Sequence, residues 1–196
     1  MDAHTPQPTK IGETIIFPDH PEFTPNLTPR QIFRLGSFGG TYWRPIFSGV
    51  NSRDYKDQHL EFAEMTTTDY DDNGAEYKTK WWEGIDPTLM IRPDCDSARN
   101  KYGVSSGTSL LYWESRGWIM PQDPYGWVQW YCRFYAGRRS PDDKRQIDRW
   151  LAFAGPKGRF RKRLIGMYKS QGKKYSDMSV SPVIHQGLQH WAYILK

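Results

Sequence analysis

Arg133 follows Gln129 by four residues in GWVQWYCRFYAGRR, residues 126–139. On a helix the two share one stripe. Trp127, Val128, Trp130, Tyr131, Phe134 and Tyr135 fill the rest of the circumference, and a helix that is apolar all round is a buried one. A buried guanidinium needs a counter-charge. Glu114, Asp123 or Asp148 would supply it from within the chain. Alternatively an anionic ligand supplies it from outside, held between aromatic walls. In that second case Arg133, Gln129, Trp127, Trp130 and Tyr131 shape a substrate pocket, with Arg44 of the GTYWR segment as a further anchor. Arg138 and Arg139, just past the helix stop at Gly137, are favoured there by the helix dipole or form a bidentate clamp for a carboxylate or phosphate.

Groups able to move a proton are few. His185 and His190 stand five apart on the last helix, so they do not share a face. Without an HExxH spacing or a nearby acid they do not make a metal site. Either is more often a satisfied core histidine, yet they are the best general bases the chain offers. His59, with Tyr42 as the acid, is the other candidate pair. GxSxG, Walker A and Cys–His nucleophile patterns are absent, as is a dinucleotide-binding glycine turn. The expectation is therefore no cofactor and no metal.

A different chemistry is written in KGRFRKRLIGMYKSQGKK, residues 157–174, which holds eight Lys or Arg and no acid. Such a run is usually a solvated helix face. Lys157, Arg161 and Lys162, with Arg159 and Arg163 beside them, would alternatively grip phosphates of RNA or DNA. Charge is distributed to match. Residues 1–98 carry 9 Lys/Arg against 16 Asp/Glu (net −7), and residues 99–196 carry 18 against 6 (net +12). Either the two halves attract each other within one fold, or the basic half faces an anionic partner. No helix-turn-helix, RRM or KH signature accompanies the run.

The elements that must position these groups can be read from their punctuation. Thr28-Pro29 caps and starts a short helix that Gly36 stops. Ser109–Glu114 is a second short helix. Asp123-Pro124 opens the aromatic helix of about 124–136. Ser140-Pro141 opens a helix to about Phe153, with Ile147, Trp150, Leu151 and Ala154 on one face. Residues 157–174 hold another, burying Phe160, Leu164 and Met167. Ser181-Pro182 caps the last, with Ile184, Leu188, Trp191 and Leu195 at helical spacing. The N-terminal half is irregular, with two or three short strands. TTTDYDDNG, residues 66–74, is expected as a surface loop, and a helical turn or two is expected around His59.

At 196 residues with nine Trp and two Cys, the chain suits one aromatic-rich domain without a disulfide framework. Residues 1–27 read as an extended or flexible arm and 28–196 as one globular domain. The expected class is mainly α, with α+β as the alternative. No apolar run approaches membrane-spanning length, so a cytosolic or nuclear protein is expected, with no membrane partner.

GWI…DPYGWVQWYCRFYAGRR…DDKRQIDRW (117–150) and SPVIHQGLQHWAY (181–193) resemble a family of small uncharacterised proteins of bacteria, fungi, algae and plants. Its pattern is DP-x-GW-x-QWYCR-x-Y-x-GRR, then RQI-x-RW, ending in a helix like RQ-x-LLHWAY. GTYWR at 40–44 and NKYGV at 100–104 look like its eukaryotic branch. GPKGRFRKRL at 155–164 departs from the bacterial pattern. The resemblance implies one compact domain and points to the same polar residues, but implies no reaction. The expected function is a cofactor-independent lyase, cyclase or isomerase acting on an anionic or aromatic metabolite. RNA or DNA binding through 157–174 is the second expectation, and a non-catalytic adaptor domain the third.

Overall fold

Thr28 starts the first helix by a reciprocal cap. Its hydroxyl accepts the Gln31 N–H at 3.1 Å, and the Gln31 side chain accepts the Thr28 N–H at 3.0 Å. This satisfies two backbone donors that a helix start otherwise leaves orphaned. The computed structural model describes residues 7–71, 73 and 75–196. Its helices are α1 (Pro29–Arg34), α2 (Leu110–Ser115), α3 (Trp127–Tyr135), α4 (Asp143–Phe153), α5 (Arg159–Gln171) and α6 (Pro182–His190). Strands β1 (Thr9–Ile11) and β2 (Thr14–Ile16), β3 (Ile46–Ser48) and β4 (Arg53–Tyr55), and β5 (Thr66–Tyr70) and β6 (Glu76–Lys80) pair as three separate antiparallel hairpins. The architecture is mixed α and β with small sheets, rather than mainly α.

The stretch expected as a loop at 66–74 is in part a strand. Thr66–Tyr70 pairs with Glu76–Lys80 in register Thr68↔Lys78. β-Branched Thr67 and the carboxylate of Asp69 face inward. Asp69 is tolerated there because Arg30 of α1 donates to it at 2.8 Å, and the Tyr77 hydroxyl does so at 3.1 Å. The chain around His59 is a 3-10 turn, Gln58–Phe62.

The core gathers around α3. The Phe23 ring meets those of Phe17 (5.2 Å), Trp130 (5.7 Å), Tyr131 (5.8 Å), Phe134 (5.7 Å) and Trp150 (5.1 Å). Ile15, Phe17, Phe23 and Leu27 are all buried and anchor residues 15–27 on the core, with Pro18, Asp19, Pro21 and Glu22 exposed between them.

Two helix starts and one helix cap differ from the sequence expectation, each for a local reason. α3 begins at Trp127 instead of near Pro124, with Gly126 (φ 85°) as N-cap. A Cβ on Gly126 would stand 2.8 Å from Cδ1 of Ile119, so the left-handed turn and the close approach both require glycine. The Asp123 carboxylate does not cap α3. The Tyr42 hydroxyl does so from outside the helix, accepting the Gln129 N–H at 2.8 Å. α4 begins at Asp143, whose carboxylate accepts the Ser140 N–H and hydroxyl at 2.8 and 2.7 Å. Ser181 takes a left-handed conformation (φ 50°) and makes no side-chain cap. α6 stops at His190, and Ala192 (φ 55°) turns the chain, so Trp191 and Leu195 pack from beyond the helix.

Candidate functional site

The aromatic helix puts most of its side chains to structural use. Trp130 is fully buried and its indole N–H donates to Asp143 at 2.8 Å; the Tyr131 hydroxyl donates to the Leu27 carbonyl at 2.9 Å. The Gln129 side-chain oxygen accepts the Tyr125 N–H at 3.0 Å. Arg133 finds its counter-charges inside the chain. It donates to Glu61 at 2.8 Å, to Asp123 at 2.9 Å and to the Gln122 carbonyl. Arg138 clamps the same Asp123 at 2.8 and 2.6 Å. Arg139 pairs with Asp19 at 2.6 Å and lies over the Phe134 ring. These three guanidiniums tie 19, 61 and 123 to the end of α3, and none borders either cavity described below.

The proton-moving candidates are scattered. His59 sits in its 3-10 turn, its Nδ1 buried without a partner among the described residues and its pKa lowered by desolvation. His185 is buried, 2.7 Å from the Tyr168 hydroxyl and beside the Tyr102 ring; neither His59 nor His185 borders either of the cavities described below. Tyr42 donates to the Tyr125 carbonyl at 2.7 Å while accepting the Gln129 N–H, and burial pushes its pKa well above 10. Its hydroxyl is spent on the backbone, so it is no acid for His59. His190 accepts the Phe38 N–H at Nε2, 3.1 Å away. Desolvation lowers its pKa to about 3. The lone pair a general base would use is occupied.

What the structure does bring together is a cleft of about 690 Å³ between α2, α4, the start of α5, and α6. That volume suits a small organic ligand. Trp113, Trp118, Trp127, Trp191, Phe153 and Phe160 form its walls, and Arg149, Arg159 and His190 reach it. The Phe153 ring stacks on Trp191 at 4.9 Å and Trp191 packs on Trp127 at 4.8 Å. No Asp or Glu side chain lines this cleft. A second cavity of about 480 Å³ shares the Ser106–Thr108 segment, Phe38, Tyr42 and Trp113 with it, and adds Arg44, Asp94 and Asn100. The segment between the two is pinned from both sides. Trp113 donates to the Thr108 hydroxyl at 2.7 Å, and Ser106 donates to the Val183 carbonyl at 3.0 Å. Gly187 of α6 permits this approach, since a Cβ there would lie 3.0 Å from the Ser106 hydroxyl.

Arg149 is the distinctive group. Its guanidinium stands 5.5 Å from the Trp118 ring and 5.4 Å from the Trp191 ring. It donates to the Gln146 side chain at 2.9 Å and to the Trp118 carbonyl at 3.4 Å. Among the described residues it has no carboxylate within salt-bridge distance. The acid whose charge acts on it, Asp142 at the start of α4, is taken by Arg145 at 2.9 Å and by Gln146 at 2.9 Å. Desolvation, then the neighbouring Arg145, lowers its pKa to about 10. An arginine in this position stays charged and lacks the anion that would offset its partial burial.

Of the residues singled out from sequence as a pocket, then, Trp127, Tyr42, His190 and Arg44 border one or other of these two cavities, and Arg44 spends one N–H on the Thr41 carbonyl at 3.0 Å. The basic run behaves differently again. Lys157, Arg159, Lys162 and Arg163 are exposed. Arg161 instead lies 4.7 Å over the Tyr193 ring, so it does not share an outer face with Lys157 and Lys162. Among the described residues no group of three or more His, Cys, Asp or Glu could hold a metal ion, and no helix is long and apolar enough to cross a membrane. Comparison of the chain with protein-family models, curated proteins and solved structures finds no match.

Proposed function

We propose that this protein binds a planar aromatic or apolar molecule carrying an anionic group, with the flat body between the indoles of the larger cleft and the anion on Arg149. The observation that carries this is the Arg149 guanidinium, held between two indole rings with no carboxylate partner among the described residues. A bidentate carboxylate or phosphate matches its fork, and stacked aromatic walls favour a flat ligand. Arg159, 4.7 Å from the Phe160 ring, adds positive charge at the rim. The charged and ring N–H groups of the cleft are donors, and it offers no carboxylate base. Lyase, cyclase or isomerase chemistry fits it where negative charge develops on the ligand and the protein stabilises that charge, rather than abstracting a proton.

Titration of the protein with 2-naphthoate, read by quenching of the cleft tryptophans, tests this. Arg149→Met should weaken binding at least about tenfold, or about 1.4 kcal/mol, while uncharged 2-naphthalenemethanol binds both forms alike. Equal affinity of both forms for 2-naphthoate would sink the assignment of the anion to Arg149.

A second reading rests on the exposed side chains of Lys162 and Arg163 on α5, the helix whose first residues Arg159 and Phe160 line the cleft together with the exposed rings of Tyr112 and Trp118. Cations beside exposed rings suit a single-stranded nucleic acid, with phosphates on the helix and a base on the aromatics. If this holds, Lys162→Ala/Arg163→Ala will weaken binding of labelled oligouridylate and lower the slope of log affinity against log salt by about two phosphate contacts. A double variant with unchanged affinity and slope would make the run a solvated face.

A further inference from the structure

His190 lies in the wall of the larger cleft and is only 5% exposed. Its ring stacks on Phe38, with centroids 4.0 Å apart and planes 17° apart. The Phe38 backbone N–H points at Nε2 from 3.1 Å. A backbone N–H is only ever a donor, so Nε2 must accept, and the imidazole proton must sit on Nδ1. Nδ1 has no hydrogen-bond partner among the described residues.

The scaffold around the ring is over-determined. Next to it on α6, Gln189 accepts the Ser37 hydroxyl at 2.5 Å and donates to the Ile32 carbonyl at 2.8 Å; Gln186 accepts the Tyr102 N–H at 3.0 Å. These bonds lock α6 to Ile32, Ser37 and Tyr102 and hold the ring against Phe38. The same cleft receives the first residues of α3, whose Trp127 N–H has no backbone partner among the described residues, while Val128 and Gln129 turn theirs to the Tyr42 hydroxyl. The positive end of the α3 dipole therefore favours electron-rich oxygen on this side of the cleft.

We infer that His190 is a specificity-determining hydrogen-bond donor, presenting Nδ1–H to an oxygen acceptor on the ligand whose anionic group Arg149 holds. This rests on the cleft being the ligand site, and it names the ligand class: an aromatic acid bearing a second oxygen acceptor, a carbonyl or a further carboxylate. Such an imidazole polarises a carbonyl or steadies an oxyanion without giving up its proton.

The test is a long-range ¹H–¹⁵N correlation spectrum of the ¹⁵N-histidine-labelled protein, with and without naphthalene-2,6-dicarboxylate at a concentration that saturates tryptophan quenching. One histidine should remain in the neutral Nδ1–H form from pH 8 to pH 5, and its Nδ1 resonances should shift on saturation. His190→Gln identifies that histidine by removing its signals, and should weaken the dicarboxylate at least fivefold more than it weakens 2-naphthoate. If the signals lost in His190→Gln are those of a histidine that protonates with ordinary pKa, takes the Nε2–H form, or is unmoved by a bound dicarboxylate, the assignment is overturned. If neither probe quenches the tryptophans, the cleft reading itself fails. If 2-naphthoate binds and depends on Arg149 but the Nδ1 signal stays still, only the role of His190 fails.

Discussion

Asp123→Asn will lower the unfolding free energy by about 3–5 kcal/mol, the cost of breaking a buried ion pair from one side. Asp123 is fully buried and accepts from both Arg133 and Arg138. Removing its charge leaves a neutral amide of the same shape, with one acceptor oxygen replaced by a donor NH2, facing two guanidiniums. Glu61 remains for Arg133, but Arg138 keeps no carboxylate among the described residues. Glu61→Gln is the internal comparison. The Glu61 side chain is 40% exposed, and an exposed partner contributes only about 0–1 kcal/mol. Asp123→Asn/Arg138→Met should recover part of the loss, because it removes one of the stranded charges together with its counter-charge. Urea unfolding followed by far-UV circular dichroism measures all three. Equal losses for Asp123→Asn and Glu61→Gln would mean that solvent screens the whole network.

That network shows how far the residues around Arg133 could be read without a structure. The need for a counter-charge followed from the aromatic pattern, and Asp123 was among the acids named for it. Which of several arginines would be left over did not follow. On α4, Lys144 takes Asp148 at 2.6 Å and Arg145 takes Asp142, and this leaves Arg149 facing the cleft. Such a remainder depends on which pairs form in three dimensions, and charge spacing along one helix does not decide it. Trp113, Trp118 and Trp191 were likewise visible as residues but not as one surface, because α2, the Trp118 turn and the end of α6 converge only through tertiary packing.

Local punctuation was legible where the cap residue serves its own helix, as at Thr28 and Ser109, whose side chains accept the N–H groups of Gln31 and Tyr112. It misled where the same residue types had a stronger use elsewhere. Asp123 looks like a cap and is a counter-ion. Ser181 looks like a cap and is a left-handed turn. Thr66–Tyr70 looked like a loop because Asp69, Asp71, Asp72, Asn73 and Gly74 are turn formers. Asp69 escapes that tendency through Arg30, a residue 39 positions away. A long-range ion pair thus overrides local propensity.

Between pH 6 and pH 5, stability will fall by about 1.4 kcal/mol per unit from His190 alone. The sign follows from the proton count. Desolvation holds the folded-state pKa of His190 at about 3, below its ordinary 6.5. Below pH 6.5 the unfolded chain therefore binds a proton that the folded chain refuses, so acid favours unfolding. The contribution is full above pH 6.5 and is lost progressively as pH falls toward 3. His185 and His59 are lowered by burial as well and act in the same direction. The lowered carboxylates, Asp19, Glu83, Asp86 and Asp177, start from 3.8 or 4.5, so their losses come mainly below this window. Urea midpoints at pH 7, 6 and 5 give the slope. His190→Gln should flatten it by about 1.4 kcal/mol per unit, whatever it does to stability at pH 7. If the slope is unchanged in that variant, the imidazole is not held neutral, and a donor role for its Nδ1–H goes with it.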